Sequence, residues 1–211
     1  MLTRPIIWMP MRFRNLTCSG GFFLLLAWLN YTDGRYLLPE ALLACLIHEL
    51  GHIICLHSMG IRIACVRLTA VGAELSVEQP MSYRQEGIAA LAGPGANFLA
   101  ALCFCRWPAL DSFSGVNLAL GCFNLLPASR LDGGRALLAT LSLVTDPSRA
   151  ERVGEGLNVL FLLLLLPVGL FVACVSGNVT VLIIGLWLCL RQKKGKKKRN
   201  STCHTIQKQV K

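Results

Sequence analysis

The chain has 211 residues, 54% of them hydrophobic and 15% charged, and its mean hydropathy is +0.56. These values exclude an ordinary soluble domain and point to a polytopic membrane protein, with room for one membrane domain and little else. The net charge of +10 is gathered at the two ends and in alternate loops, a pattern that orients a chain in a bilayer.

Six apolar segments are expected, near 20–37, 38–58, 86–105, 114–127, 156–175 and 177–190. The first and the last two are short or closely spaced, so the number of spans lies between four and six. The fold class is therefore an all-α polytopic membrane protein of about six transmembrane helices, with a short membrane-associated β-hairpin. Residues 1–190 are expected to form the membrane domain and 191–211 a basic cytoplasmic tail. Most of the ten cysteines fall inside predicted spans, where cysteine acts as a small hydrophobe rather than as part of a disulfide framework.

Arg4, Arg12 and Arg14 precede the first segment, Phe22-Phe-Leu-Leu-Leu-Ala-Trp28. No small-x-small cleavage site follows, so it reads as an uncleaved first span. Residues Ile6 to Phe13, with Trp8 among them, suit the headgroup layer.

The second segment carries His48-Glu49-Leu50-Gly51-His52, an H-E-x-x-H pentapeptide. Helix positions four apart lie about 6 Å apart on nearly one face, so both imidazoles can reach one metal. Glu49 follows His48 by about 100° of rotation, close enough to act on a water at that metal without being a ligand. Ionisable side chains in lipid are costly, and such a cluster is a functional-site hypothesis by default. Cys45 and Cys55 each lie three residues from a motif histidine, so thiolate ligation is an alternative.

Residues 61–77 read as a β-hairpin turning near Gly72, with Ile61, Ile63 and Cys65 on one face. Its edge could pair with an extended substrate segment; the other reading is a solvated loop on the membrane. The third segment contains Ala92-Gly-Pro-Gly-Ala-Asn97. Asn97 at membrane depth either offers amide donors to a carbonyl oxygen or packs helices.

Two histidines and a water leave zinc one protein ligand short. His57 comes five residues after His52 and would point elsewhere. Downstream, Pro127 interrupts the fourth segment and Asp132 precedes Gly133-Gly134, at the start of a helical piece from Arg135 to Leu143. The sequence leaves two readings of Asp132, a helix N-cap and the third ligand. Backbone freed by Pro127 is tolerated in a membrane only where protein or a water-filled cavity satisfies it, which places water access there.

Together these segments resemble the site-2 protease family of intramembrane zinc metalloproteases. The resemblance rests on His48-Glu-Leu-Gly-His52, Gly93-Pro-Gly-Ala-Asn97, Asn124-Leu-Leu-Pro127 and Leu131-Asp-Gly-Gly-Arg135, over roughly residues 38–140. It implies His48, His52 and Asp132 as Zn2+ ligands, Glu49 as general base, and Asn97 and Asn124 as contacts to the substrate backbone or tetrahedral intermediate. It also implies a membrane-anchored protein as substrate and a membrane regulator. The small bacterial branch that includes the stage IV sporulation protease is the most similar, which implies a bacterial cytoplasmic membrane and a sigma-factor precursor or regulator as substrate. Arg130 departs from the small or proline residue common before Leu-Asp-Gly.

Arg62, Arg67, Arg84, Arg130, Arg135, Arg149 and Arg152 fall on the side of the termini if six spans cross, leaving Arg35 and Arg106 opposite. Both termini are then cytoplasmic. The basic run Arg191 to Arg199 reads as a stop-transfer anchor that attracts anionic lipid, not as a nucleic-acid site. Two rival functions remain: a catalytically silent metal-binding protein that retains or chaperones clients, and a metal transporter. Intact Glu49 argues against the first, since ligation needs no base. Concentration of the ligands in one motif argues against the second.

Overall fold

The structure, a computed structural model, describes residues 16–18, 37–69, 72–176, 182–183, 185–186 and 189. A short strand β1 (Leu16–Cys18) precedes helix α1 (Leu38–Ser58), strands β2 (Ile63–Thr69) and β3 (Gly72–Val77), and helix α2 (Tyr83–Phe104). A 3-10 turn (Pro108–Leu110) leads into α3 (Asp111–Asn124), followed by α4 (Asp132–Val144) and α5 (Pro147–Ser176).

The local chemistry explains these limits. Pro39 opens α1, Glu40 complements the positive end of its dipole, and Gly60 adopts the left-handed conformation (φ 71°) just past its end. Helix α2 starts with a capping box, in which the Ser82 hydroxyl takes the Gln85 N–H and Gln85 Oε1 takes the Ser82 N–H at 3.0 Å.

The helices are arranged inside out relative to a soluble protein. On α1, Ala44, His48, His52 and Leu56 recur every four residues and are buried, while Leu42, Leu46, Leu50 and Ile54 form an exposed row behind them. On α2 the buried face is Ala89, Ala90, Gly93, Pro94, Asn97, Ala100 and Ala101, and Ile88, Leu91, Leu99 and Leu102 face outward. Small and polar residues inside with large apolar residues outside is the pattern of helices whose solvent is lipid. Gly51 lets α1 and α2 approach closely, since a Cβ there would lie 2.6 Å from Ala92 O. Among the described residues, three helices, α1, α2 and α5, are long and apolar enough to cross a membrane.

The sheet has the order β1-β2-β3, with β1 parallel to β2 and β2 antiparallel to β3. The antiparallel pairing of β2 with β3 runs from Ile63↔Val77 to Thr69↔Gly72. Leu56, Ile61 and Ala89 form a small core beneath it, joined by Ile63, Leu75, Val77 and Met81.

The expected segments 38–58 and 86–105 are helices close to their expected limits. The fourth ends earlier than expected, at Asn124, where the turn leading to Pro127 takes over, and the following piece begins at Asp132 rather than Arg135. The fifth starts at Pro147 rather than 156; its charged first turns are helical beyond the apolar run. The expected first span at 20–37 lies, except for Leu37, outside the described residues, as do most of 177–190 and all of the basic tail. The break between two compact units falls between Asn124 and Leu125. In the first, α1, α2 and α3 pack against one another; in the second, α4 packs on α5.

Candidate metal centre

The four-residue spacing on α1 turns His48 and His52 inward, leaving them only 6% and 7% exposed. His52 Nδ1 bonds to Ala89 O on α2 at 2.7 Å. His48 Nδ1 bonds to Asn97 Oδ1 at 2.6 Å. The Asn97 amide cannot be turned the other way, because its nitrogen faces two acceptors, Ala44 O at 3.0 Å and Asn117 Oδ1 at 2.9 Å. Each imidazole therefore donates through Nδ1, and in its neutral form presents a bare lone pair at Nε2.

Those two Nε2 atoms are 3.1 Å apart. With the Nδ1 hydrogens directed to Asn97 and Ala89, the two Nε2 atoms face each other as acceptors, the disposition of a pair of metal-ligating imidazoles. A tetrahedral zinc with Zn–N distances of about 2.0–2.1 Å holds its nitrogens about 3.3 Å apart, so the pair fits such an ion. Residue 93 must be glycine for this space to exist, since a Cβ there would collide with His52 Nε2 and stand 2.8 Å from His48 Nε2. Glu49 is half-buried on the turn between the two rings.

In the second unit, Asp132 is the first residue of α4 and 8% exposed. The N-cap position belongs to Leu131 (φ −93°, ψ 162°), so the capping reading of Asp132 does not hold. The helix dipole favours its carboxylate, and Arg135 Nη1 lies 3.6 Å from Oδ1. Gly133 and Gly134 allow the start of α4 to press on the preceding loop, where a Cβ would strike Leu125 O and Ala128 O. That loop is pinned from α5 by Asn158 Oδ1, which accepts the Ser129 N–H at 3.0 Å. His48, His52 and Asp132 are all buried donors of the kinds that bind zinc.

Cys45 and His57 are exposed, and Cys55 packs against the core beneath the hairpin. Asn124, the last residue of α3, gives an amide N–H to Leu120 O at 3.0 Å. Asn97 differs from expectation. It is 0% exposed and both sides of its amide are engaged, so no hydrogen is left for a substrate oxygen. Asn117 and Asn158 were not singled out by the sequence. The signal was present in both cases, an amide within an apolar helix, which lipid tolerates only when bonded.

A family model, Peptidase family M50, matches residues 106–168, a stretch holding both Asn124-Leu-Leu-Pro127 and Leu131-Asp-Gly-Gly-Arg135. The chain is 27% identical over 153 residues to the zinc metalloprotease MJ0392 of Methanocaldococcus jannaschii, covering 67% of this chain and 44% of that one. Over residues 106–168 the chain thus resembles peptidase family M50. It is also 32% identical over 142 residues to Rip3 of Mycobacterium tuberculosis, covering 58% of this chain and 34% of that protein. It thus spans less than half the length of these curated relatives. Among solved structures, the site-2 protease from Methanocaldococcus jannaschii has the same fold, with a TM-score of 0.62 and 24% identity over 82% of this chain and 86% of that one.

Proposed function

We propose that this chain is an intramembrane zinc metalloendopeptidase of the M50 type that hydrolyses a peptide bond in or near a transmembrane segment of a membrane-anchored protein. The observation that carries this reading is the convergence of the His48 and His52 Nε2 atoms beside Glu49, on a helix whose outer face suits lipid. Asp132 is assigned as the third ligand, and zinc follows both from this donor set and from the activity named for the Methanocaldococcus relative.

Zinc in this site supplies a Lewis acid that polarises the scissile carbonyl and makes a water acidic enough to lose a proton near neutral pH. Glu49 takes that proton and returns it to the leaving amine. Asn124 spends one of its two amide hydrogens on Leu120 O, and the other is the donor assigned to the developing oxyanion. Asn97 has no such hydrogen and is withdrawn from that role.

A helical substrate hides its peptide bonds and must be extended before cleavage. In the order β1-β2-β3 both outer strands are edges among the described residues; β3 (Gly72–Val77) is longer than the three-residue β1, and an extended segment pairing along it is the mode of presentation we favour. A sigma-factor precursor or regulator as substrate, in a bacterial cytoplasmic membrane, rests on the sequence resemblance to the sporulation branch.

Glu49→Gln tests the mechanism. It keeps size and hydrogen bonding, so folding and zinc content should be those of the wild type. Cleavage of a membrane-anchored substrate by the reconstituted protein should fall by about 10²–10⁴-fold, as when general acid–base catalysis is lost. A silent client-binding protein would show no cleavage in either form, and equal cleavage by both would refute the role of Glu49.

A further inference from the structure

Beyond its ligands, the metal centre is reached by a hydrogen-bond relay that ends on α3. The Phe113 carbonyl takes a hydrogen from Asn117 Nδ2 at 2.9 Å. This fixes which end of the Asn117 amide is which and turns its Oδ1 towards Asn97 Nδ2, also at 2.9 Å. Asn97 Oδ1 then takes the His48 Nδ1 hydrogen at 2.6 Å. Both asparagines are 0% exposed, so no water can substitute for a lost partner. We propose that Asn117 is a positioning residue for the metal centre, acting through Asn97 to hold the His48 hydrogen on Nδ1 and leave Nε2 bare for the metal.

The relay is directional. If the Asn97 amide turned over, its nitrogen would face His48 Nδ1 and the imidazole hydrogen would move to Nε2, where it blocks ligation. Two acceptors oppose that turn, Ala44 O and Asn117 Oδ1. The backbone carbonyl comes with the helix; Asn117 is the contribution of a side chain. Outer partners that orient a ligating histidine typically change metal affinity by about 10–100-fold.

This inference rests on His48 being a ligand, and the test separates the two. The full-length protein in detergent is prepared as wild type, Asn117→Leu, Asn117→Asp and His48→Ala. Zinc affinity is read by competition with a chromophoric chelator, and the His48 ring nitrogens by 15N NMR of the zinc-free protein. Asn117→Leu is expected to weaken zinc binding by about 10-fold or more and to populate the Nε2–H form of His48. A buried, protonated aspartic acid reproduces both the acceptor and the donor of Asn117, so Asn117→Asp should restore affinity and the Nδ1–H signal. If Asn117→Leu does not fold, Asn117→Ala is read in the same way. Wild-type affinity and wild-type 15N signals in the leucine or alanine variant would overturn the relay, as would an aspartate variant no better than leucine. Undiminished zinc binding in His48→Ala would instead overturn the ligand assignment.

Discussion

A side-chain amide inside a membrane protein is committed by its neighbours, and Asn97 shows how far that commitment reaches. In water its donors could serve a substrate. At 0% exposure each unmade bond would cost about 1–3 kcal/mol, so all of its capacity goes to His48, Ala44 and Asn117. The sequence left Asn97 either as a donor to a carbonyl oxygen or as a helix-packing residue, since spacing carries no information on which way an amide faces. Asp132 belongs to the same scale. Its carboxylate is buried at the start of α4 and is a donor of the kind that zinc binds, the role assigned to it above. Asp132→Ala is therefore expected to lower zinc affinity by more than the ~100-fold upper range of outer-shell changes. Cys45→Ala and His57→Ala, which alter exposed groups, should bind zinc as the wild type does. Metal analysis after dialysis against a graded chelator checks this, and full occupancy in Asp132→Ala would remove that residue from the site.

At the scale of elements, the segment 125–131 must carry Asp132 without regular structure of its own. It holds together through local bonds, Ala128 N–H to Leu126 O and Leu131 N–H to Ala128 O, and through Asn158 on α5. Asn158→Leu preserves volume but strands the Ser129 N–H, for a cost of about 1–3 kcal/mol. A lower thermal midpoint and weaker zinc retention are expected together. A lower midpoint with unchanged zinc retention would confine Asn158 to stability. The limits of α1 were legible because an apolar run is bracketed by Pro39 and Gly60, two residues whose backbone preferences are intrinsic. The start of α5 was not, because Arg149, Glu151, Arg152 and Glu155 carry no apolar periodicity although their propensities allow helix. The Gly133-Gly134 pair was legible as a motif, but its reason, a loop carbonyl where each Cβ would go, exists only in three dimensions.

For the whole molecule, orientation follows from charge. Arg62, Arg67 and Arg84 surround the hairpin between α1 and α2, whereas the turn between α2 and α3 has Arg106 and Asp111. This charge distribution predicts that the hairpin between α1 and α2 lies on the cytoplasmic side. By the same rule Arg149, Arg152 and the seven cations of Arg191 to Arg199, each worth about 1 kcal/mol near an anionic leaflet, predict cytoplasmic positions for those segments. The expectation is that both termini are cytoplasmic and the loops near Asp33 and Asp111 outside. Cys203 in the tail is a native reporter, and Asp111→Cys supplies one for the α2–α3 turn, each in a chain otherwise free of cysteine. A membrane-impermeant maleimide added to intact cells should label the cysteine at 111 and spare Cys203, with the pattern reversed in inverted vesicles. Labelling of both cysteines from outside would require an even number of spans between them and overturn the count of six, whereas Cys203 labelled and the cysteine at 111 spared would invert the chain and move β3 away from the cytoplasm.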